Sequence, residues 1–165
     1  MPASPSDLFA YLDALGIAHT THEHAATFTV EEGRHLKASM PGGHSKNLFM
    51  KDKDGTIVLI SAWADSQLKL NQLHKLIGTR RLSFASADLM QDLLGVSPGS
   101  VTAFALMNDP DAKVRFIVDA ALMAFDTVNF HPLTNTATTA ISSADLRNFV
   151  EATGHTLTEV DFTAL

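Results

Sequence analysis

The sequence predicts a mixed α/β fold in which helices surround one strongly curved, partly barrel-like mixed sheet. Three observations predict it: strand-like segments outnumber helical ones, the two kinds alternate along the chain, and several adjoining strands are separated by hairpin-length turns. Short turns join antiparallel strands, whereas parallel neighbours need a longer crossover. The pattern therefore favours a sheet with both parallel and antiparallel strand pairs over a doubly wound parallel sheet.

The bulk composition predicts one compact domain over residues 1–165. The chain has 165 residues, of which 45% are hydrophobic, and its mean hydropathy is +0.08. This is enough apolar material for one sizeable core but too little for two independent cores. The N-terminus lacks a basic segment followed by an apolar run, and no later segment has the length needed to cross a bilayer. We therefore expect a cytoplasmic protein without a membrane partner and, since no heptad pattern is present, a monomer.

Charge and cysteine content exclude several classes of function. The 18 acidic residues outnumber the 12 basic ones, and the resulting net charge of −6 disfavours nonspecific DNA binding through a broad basic face. A small nucleic-acid contact made by a few local lysines remains compatible with this charge. The absence of cysteine excludes disulfides, thiolate nucleophiles and cysteine-ligated zinc.

Helical and strand-like patterns alternate in the N-terminal half. Leu8, Leu12 and Leu15 recur on one helical face after a capping serine at position 4 or 6, and Gly16 follows where the helix would end. The further predicted elements are a strand over 17–24, a helix capped by Thr29 and running to about 38, a hairpin of strands 47–51 and 56–61, a helix over 68–77 and a strand near 81–84.

The C-terminal half contains a second glycine-rich loop, Gly95 to Ser100. It follows a helix that begins after Ser86 and ends at Gly95. The further predicted elements are strands over 101–107, 114–119, 127–130, 136–141 and 156–162, a helical turn over 120–124, and a last helix over 142–153. His131-Pro132 ends one of these strands, because proline cannot continue the ladder of hydrogen bonds.

Most common catalytic motifs are absent. Neither Gly-x-Ser-x-Gly, His-Glu-x-x-His nor Gly-x-x-x-x-Gly-Lys-Ser/Thr occurs, which removes most common hydrolase and nucleotide-binding classes. His19, His22 and His24 lie in one predicted strand, and the last two share a face at a period of two. Because no third ligand follows at a suitable spacing, they are interpreted as polar strand residues, and no metal site is predicted.

The remaining polar residues suit a site that positions a charged ligand and polarises a carbonyl while water attacks. They are Ser45, Lys46, Asn47, His131, Asn135, Thr138 and the amides of 99–101. Lys46 follows the breaker run 40–43 and is predicted where flexible backbone becomes rigid sheet. Structural interpretations stay open: a surface lysine, a turn histidine at 131, and a plain helix-to-strand connection at 95–100.

Four stretches in this order resemble the YbaK/ProX family of aminoacyl-tRNA editing domains. They are Thr-Phe-Thr-Val-Glu-Glu at 27–32, Gly-His-Ser-Lys-Asn-Leu-Phe at 43–49, Gly-Val-Ser-Pro-Gly-Ser-Val-Thr at 95–102 and Phe-His-Pro-Leu-Thr-Asn-Thr-Ala-Thr at 130–138. The likeness spans nearly the whole chain, and Lys-Asn-Leu-Phe is its most specific marker. Phe-His-Pro-Leu-x-Asn is similar to the free-standing prolyl-tRNA editing proteins of this family, which are similar to the editing insertion of bacterial prolyl-tRNA synthetase.

The resemblance implies hydrolysis of alanine wrongly esterified to the proline tRNA, without metal or other cofactor. It places the family's essential lysine on Lys46, with Asn47 beside it, and the glycine-rich loop on 99–103, with Gly99 and Ser100 as catalytic residues. The substrate-binding residues expected with them are Phe28, Val30, Leu36, Ser45, Val101, Thr102, His131 and Asn135. In this loop Ala103 stands where many relatives have proline.

The partners implied by the resemblance are the acceptor 3′ end of an aminoacyl-tRNA and either prolyl-tRNA synthetase or an elongation factor. Two alternatives stay open. One keeps the reaction and changes the amino acid or the tRNA, because a methyl group's difference in a pocket is worth only about 1–3 kcal/mol. The other is a nucleic-acid or nucleotide binding module without catalysis, which would protect an aminoacyl ester rather than turn it over.

Overall fold

A computed structural model describes residues 2–26 and 29–165 and confirms the predicted α/β class with a mixed sheet and surrounding helices. The strands of the described chain are β1 (Thr20–Glu23), β2 (Gly43–Lys51), β3 (Ile57–Trp63), β4 (Ser83–Phe84), β5 (Val114–Asp119), β6 (Thr127–Phe130), β7 (Ala137–Ser142) and β8 (Leu157–Val160). The helices are α1 (Pro5–Ala14), α2 (Val30–Ser39), α3 (Leu73–Ile77), α4 (Ala87–Leu94), α5 (Ala120–Met123) and α6 (Ser143–Ala152). Short 3-10 helices lie at Leu70–Gln72, Pro98–Ser100, Ala103–Asn108 and Phe162–Ala164.

The hairpin of β2 and β3 lies at the centre of the sheet. The strand order is β1-β7-β6-β2-β3-β5-β8, with β4 paired to the end of β2. β2 and β6, β3 and β5, and β5 and β8 are parallel pairs, whereas the other pairs are antiparallel. Gly55, at a φ of +87°, makes the tight turn of this hairpin, as its Asp-Gly sequence predicts.

Apolar residues cover both faces of the central strands. Alternation along β2 sends Phe49 to the larger core, which also contains Leu8 and Leu12 of α1 and residues of α4 and α6. Met50, on the opposite face, packs in a smaller cluster with Leu73 of α3. Burial of both faces is the main contribution to the stability of the fold, because the hydrophobic effect scales with the apolar area removed from water.

The segment predicted as a strand over 101–107 is instead the 3-10 helix Ala103–Asn108. The hydroxyl of Thr102 accepts a hydrogen bond from the Phe104 N–H (3.3 Å), which turns the chain at this point. Residues 103–106 are fully buried. A short, wholly apolar run fits a buried helical turn as well as a buried strand, which is why the prediction is wrong here. Leu15, predicted on the buried face of α1, is 39% exposed.

The start of β2 also differs from the prediction. The strand begins at Gly43, so Lys46 lies inside the sheet and not at a junction with flexible backbone. Gly43 and His44 pair with Val128 and Asn129 of β6, which extends the strand backwards. Close packing explains the glycine, since an added Cβ at position 43 would lie 2.6 Å from the Phe125 ring.

None of the helices in the described residues is long and apolar enough to cross a membrane.

Gly42→Ala is expected to destabilise the protein more than Gly55→Ala. Both glycines have a positive φ, +106° and +87°, which costs an alanine about 1–2 kcal/mol. A Cβ at Gly42 would also lie 3.0 Å from the carbonyl carbon and the Cβ of Thr127, whereas Gly55 has open space around it. We expect a loss of about 1–2 kcal/mol for Gly55→Ala and about 3 kcal/mol or more for Gly42→Ala, measured by urea unfolding. Equal losses would contradict close packing at Gly42.

Candidate functional site

A cleft of about 550 Å³ lies between α2 and one face of the sheet. Val30 and Leu36 of α2 line one side, and His44, Ser45, Asn129, His131 and Thr138 line the sheet side. We call this space the α2 cleft. A second cavity of about 540 Å³, between α2 and the β1 residues His22 and Glu23, shares Thr29 and Leu36 with it. The position of α2 therefore determines the shape of both spaces.

Helix α2 is held at its start by a reciprocal cap. The Thr29 hydroxyl accepts the Glu32 N–H (3.1 Å), and the Glu32 carboxylate accepts the Thr29 N–H (3.0 Å). The hydrogen bond from the Thr29 N–H to the carboxylate, and after it the Thr29 side chain, lower the pKa of Glu32. None of the ten residues of α2 is buried, and Val30 is 76% exposed. The helix thus covers the cleft without contributing to either apolar core.

Strand pairing places the polar residues of the cleft side by side. His44 of β2 is the parallel partner of Asn129 of β6, and neighbouring strands lie about 4.8 Å apart. His131 follows Asn129 by two residues and Thr138 lies on the adjacent β7, so both line the same cleft. This arrangement joins residues that are more than 80 positions apart in the sequence.

The two histidines of the cleft present acceptor nitrogens. His131 Nδ1 donates to the carbonyl of Ala137 (3.0 Å), and His44 Nε2 donates to the carbonyl of Met40 (2.8 Å). A carbonyl only accepts, so in a neutral ring the other nitrogen carries a free lone pair. Burial lowers the pKa of His44 most; the bond to Met40 opposes this, and the charge of Lys37 adds to the lowering. His44 is consequently neutral at physiological pH.

Asn129 provides a third acceptor, and the sequence analysis did not identify it. The residue is 2% exposed, and its Nδ2 donates to the carbonyls of Gly43 (3.3 Å) and Pro41 (3.4 Å). These two carbonyls fix the orientation of the amide, because its oxygen would repel them. Its Oδ1 has no hydrogen-bond partner among the described residues. A buried acceptor without a partner costs about 1–3 kcal/mol, which makes it a candidate for ligand binding.

Lys46 lies next to the cleft but does not line it. Alternation along β2 places its side chain on the same face as that of His44. The ammonium donates to the backbone carbonyl of Ser66, in the turn that follows β3. An ammonium has three N–H donors, so two remain for a ligand.

Asn47 is engaged in a network inside the sheet. Its Oδ1 accepts the Ser61 hydroxyl (2.5 Å), and its Nδ2 donates to Ser45 Oγ (3.1 Å). Ser45 Oγ in turn donates to the Asn129 carbonyl (2.8 Å). Asn47 therefore supports β2 from the face opposite Lys46, and its role in catalysis stays a prediction.

The glycine-rich loop and Asn135 contact each other outside the lining of the α2 cleft. Gly99 and Ser100 belong to the 3-10 helix Pro98–Ser100, followed by buried Val101 and Thr102. A Cβ at Gly99 would lie 3.1 Å from Asn135 Nδ2, so glycine allows this close approach. Of the predicted site residues, Val30, Leu36, Ser45 and His131 line the cleft together. Phe28 lies outside the described residues.

Within residues 2–26 and 29–165, no group of three or more His, Cys, Asp or Glu side chains is placed to hold a metal ion.

Comparison with known proteins determines the family. Residues 19–149 match the sequence model of the aminoacyl-tRNA editing domain. The chain belongs to the aminoacyl-tRNA editing domain family. This editing domain is 39% identical over 155 residues to mouse prolyl-tRNA synthetase associated domain-containing protein 1, with 91% of each chain covered. It is 35% identical over 155 residues to the prolyl-tRNA editing protein ProX of Acetoanaerobium sticklandii, covering 93% of this chain and 94% of the relative.

The fold of the editing domain also has a solved counterpart. A crystal structure of a proposed trans-editing enzyme for prolyl tRNA synthetase superposes with a TM-score of 0.68 at 18% identity, covering 96% of this chain and 98% of the other. At this identity the likeness shows the fold alone. The resemblance drawn from the four sequence stretches is confirmed at the level of the family.

The pKa of His44 predicts part of the pH dependence of stability. Because this pKa is lowered from 6.5 on folding, the unfolded chain binds a proton first when the pH falls below about 6.5. The free energy of unfolding therefore decreases with falling pH down to the folded-state pKa. Above about pH 6.5 both states are neutral at this residue. We expect a shallower decrease for His44→Gln than for the wild type in urea unfolding at a series of pH values. An identical slope in both proteins would contradict this origin.

Proposed function

We propose that the chain is a trans-editing hydrolase that removes alanine wrongly esterified to the proline tRNA. The family match over residues 19–149 carries this proposal, since it defines an aminoacyl-tRNA editing domain. Relatives of similar length named for prolyl-tRNA editing or prolyl-tRNA synthetase association support the choice of tRNA. The substrate alanine comes from the resemblance of the sequence to free-standing prolyl-tRNA editing proteins.

The reaction is the hydrolysis of an ester. The oxygen of a water molecule bonds to the carbonyl carbon of the aminoacyl group, and the bond from that carbon to the ribose oxygen breaks. The proton lost by the water ends on the ribose oxygen, giving free amino acid and uncharged tRNA. An aminoacyl ester is activated, so positioning, a polarised carbonyl and an oriented water supply most of the catalysis. The sheet side of the α2 cleft supplies polar side chains that could hold the ester and the water in place, and Arg34 and Lys37 of α2 add positive charge on the opposite side.

Lys46 would act as the cationic group of the site. With one N–H directed to Ser66, the ammonium keeps two donors for the ester carbonyl or the terminal phosphate. The amides of Gly99 to Val101 would orient the terminal adenosine and the carbonyl, as the resemblance implies. Asn47 and Ser45 would keep β2 in register beneath them.

The acceptor atoms of the α2 cleft match the amino group of the substrate. Within residues 2–26 and 29–165, no group donates a hydrogen bond to His131 Nε2, His44 Nδ1 or Asn129 Oδ1, and the ammonium of an aminoacyl group carries N–H donors for such acceptors. Val30 and Leu36, which line the cleft, would form the apolar wall that admits alanine and excludes the larger proline. Selectivity would then come from cavity size and from recognition of the amine.

A local basic surface supports RNA as the partner despite the net charge of −6. Lys51 at the end of β2 pairs with Ile57, which pairs with Val114, so these strand ends lie at one end of the sheet. Six of the 12 basic residues lie on the segments that meet there, and one of them, Arg80, is paired with Asp54 (3.2 Å): Lys51, Lys53, Arg80, Arg81, Lys113 and Arg115. Phosphates of an acceptor stem are the complementary partner. This end lies about 20 Å along β2 from the cleft.

Lys46→Ala is expected to reduce deacylation of Ala-tRNA(Pro) at least about 100-fold, because it removes the cation that stabilises developing charge on the ester oxygen. Release of radiolabelled alanine under single-turnover conditions is the measurement. Lys75→Ala, at an exposed position of α3, is the matched control and should keep wild-type activity. Full activity of folded Lys46→Ala would overturn the role given to Lys46.

A panel of mischarged tRNAs separates the remaining alternatives. Turnover at sub-stoichiometric protein distinguishes a hydrolase from a binding module, which would protect the ester. Faster hydrolysis of another small amino acid, or on another tRNA, would keep the reaction and change the substrate.

Lys51→Gln is expected to weaken binding of uncharged proline tRNA. It should also reduce the slope of log K against log salt concentration by about one, because one phosphate contact is lost. Arg147→Gln removes the same charge beside Glu159, near the other end of the sheet, and should leave affinity within about 2-fold. Fluorescence anisotropy over a salt series is the measurement. Equal effects of the two changes would argue against a localised RNA surface.

A further inference from the structure

Asp119, at the end of β5, is a buried carboxylate that the sequence analysis did not identify. It is 2% exposed, and the described residues offer it no ion pair. Oδ2 accepts the Ser66 hydroxyl (2.6 Å) and the Trp63 N–H (3.1 Å), and Oδ1 accepts the Ala121 N–H (2.9 Å). A buried carboxylate is costly unless it is well hydrogen-bonded, and these three bonds offset that cost.

Two of these bonds hold the turn that follows β3. One carboxylate oxygen binds both Trp63, where β3 ends, and Ser66, three residues later. Inside the turn the Ser66 N–H donates to the Trp63 carbonyl (2.9 Å), and the Ala64 N–H donates to the His44 carbonyl (2.8 Å). The turn is therefore hydrogen-bonded both to Asp119 of β5 and to His44 of β2.

The carbonyl of Ser66 in this turn is the acceptor for the Lys46 ammonium. Lys46 and Ala62 are direct partners across β2 and β3, so the side chain reaches the turn on its own side of the sheet. We propose that Asp119 and Ser66 are positioning residues that fix the Lys46 ammonium beside the α2 cleft. The proposal rests on the role of Lys46 in the proposed function.

The hydrogen bond to Ser66 explains how the flexible side chain of Lys46 can hold its ammonium at one position. A lysine side chain is flexible, and an ammonium without an anchor samples many positions at an entropic cost when it meets a ligand. The hydrogen bond to Ser66 uses one of its three donors and restricts the other two. Asp119 does not touch the substrate in this arrangement and acts only through the turn and the lysine.

Asp119→Asn tests the proposal, because the amide cannot accept all three hydrogen bonds while it also carries two donors. We expect kcat for Ala-tRNA(Pro) to fall about 10-fold to 100-fold, with KM within about 2-fold, since misplacement of a positioned group lowers rate more than binding. Asp65→Asn removes the same charge from an exposed residue next to Ser66 and should keep wild-type kinetics. Ser66→Ala, a milder change that keeps the carbonyl, should lower kcat in the same direction by a smaller factor.

A direct signal from the lysine separates this role from a general structural one. In ¹H–¹⁵N spectra of lysine side chains, the hydrogen-bonded ammonium of Lys46, identified by its absence in Lys46→Ala, should be protected from rapid exchange in the wild type. Asp119→Asn and Ser66→Ala should reduce this protection, and Asp65→Asn should leave it unchanged. Unchanged protection in folded Asp119→Asn, or an equal loss of kcat for Asp65→Asn, would overturn the proposal. Failure of the wild type to hydrolyse any mischarged tRNA would overturn the proposed function instead, and the exchange measurement would still test the anchor.

Discussion

The parallel pairing of the first residues of β2 with β6 is the constraint on which the candidate site depends. It places Gly43 beside Val128 and His44 beside Asn129. Backbone approaches closely at Gly42, and the Phe125 ring lies against Gly43, so neither position has space for a side chain. Without this pairing, the acceptors contributed by β2 and β6 would not face one cleft. Gly42 and Gly43 thus determine where residues of β6 such as Asn129, more than 80 positions away, lie relative to β2.

The face of β2 that meets α2 combines acceptors with a single anchored cation. His44 and Asn129 line the cleft and each has an acceptor atom without a donor among the described residues, whereas the ammonium of Lys46 is hydrogen-bonded to Ser66 beside it. Such a division suits a ligand that has a donor-rich amine at one end and an electron-rich ester or phosphate at the other. An aminoacyl ester of a nucleotide has both groups a few bonds apart.

Local patterns predicted the local elements of this fold. Serine and threonine caps, glycine stops and the Asp-Gly turn specify α1, α2, α4, α6 and the central hairpin, because each depends on residues within one or two turns of chain. The run at 101–107 was assigned wrongly because full burial removes the alternation that distinguishes a strand from a helical turn. Asn129 and Asp119 gave no signal in the sequence. Their importance depends on partners 53 to 88 positions away, such as Ser66 and Pro41, which only the sheet topology brings close.

The exposure of α2 has a consequence for how this cleft can diversify. All ten residues of the helix contribute nothing to the apolar cores, and a cap formed by Thr29 and Glu32 sets where it starts. Residues 30–39 can therefore be exchanged as a block between homologues, provided the cap is kept, without repacking the interior. Substitutions on the side of α2 that lines the cleft then change which amino-acid side chain of a ligand fits there. The hydrogen bond between Lys46 and Ser66 and the pairing of β2 with β6 stay the same.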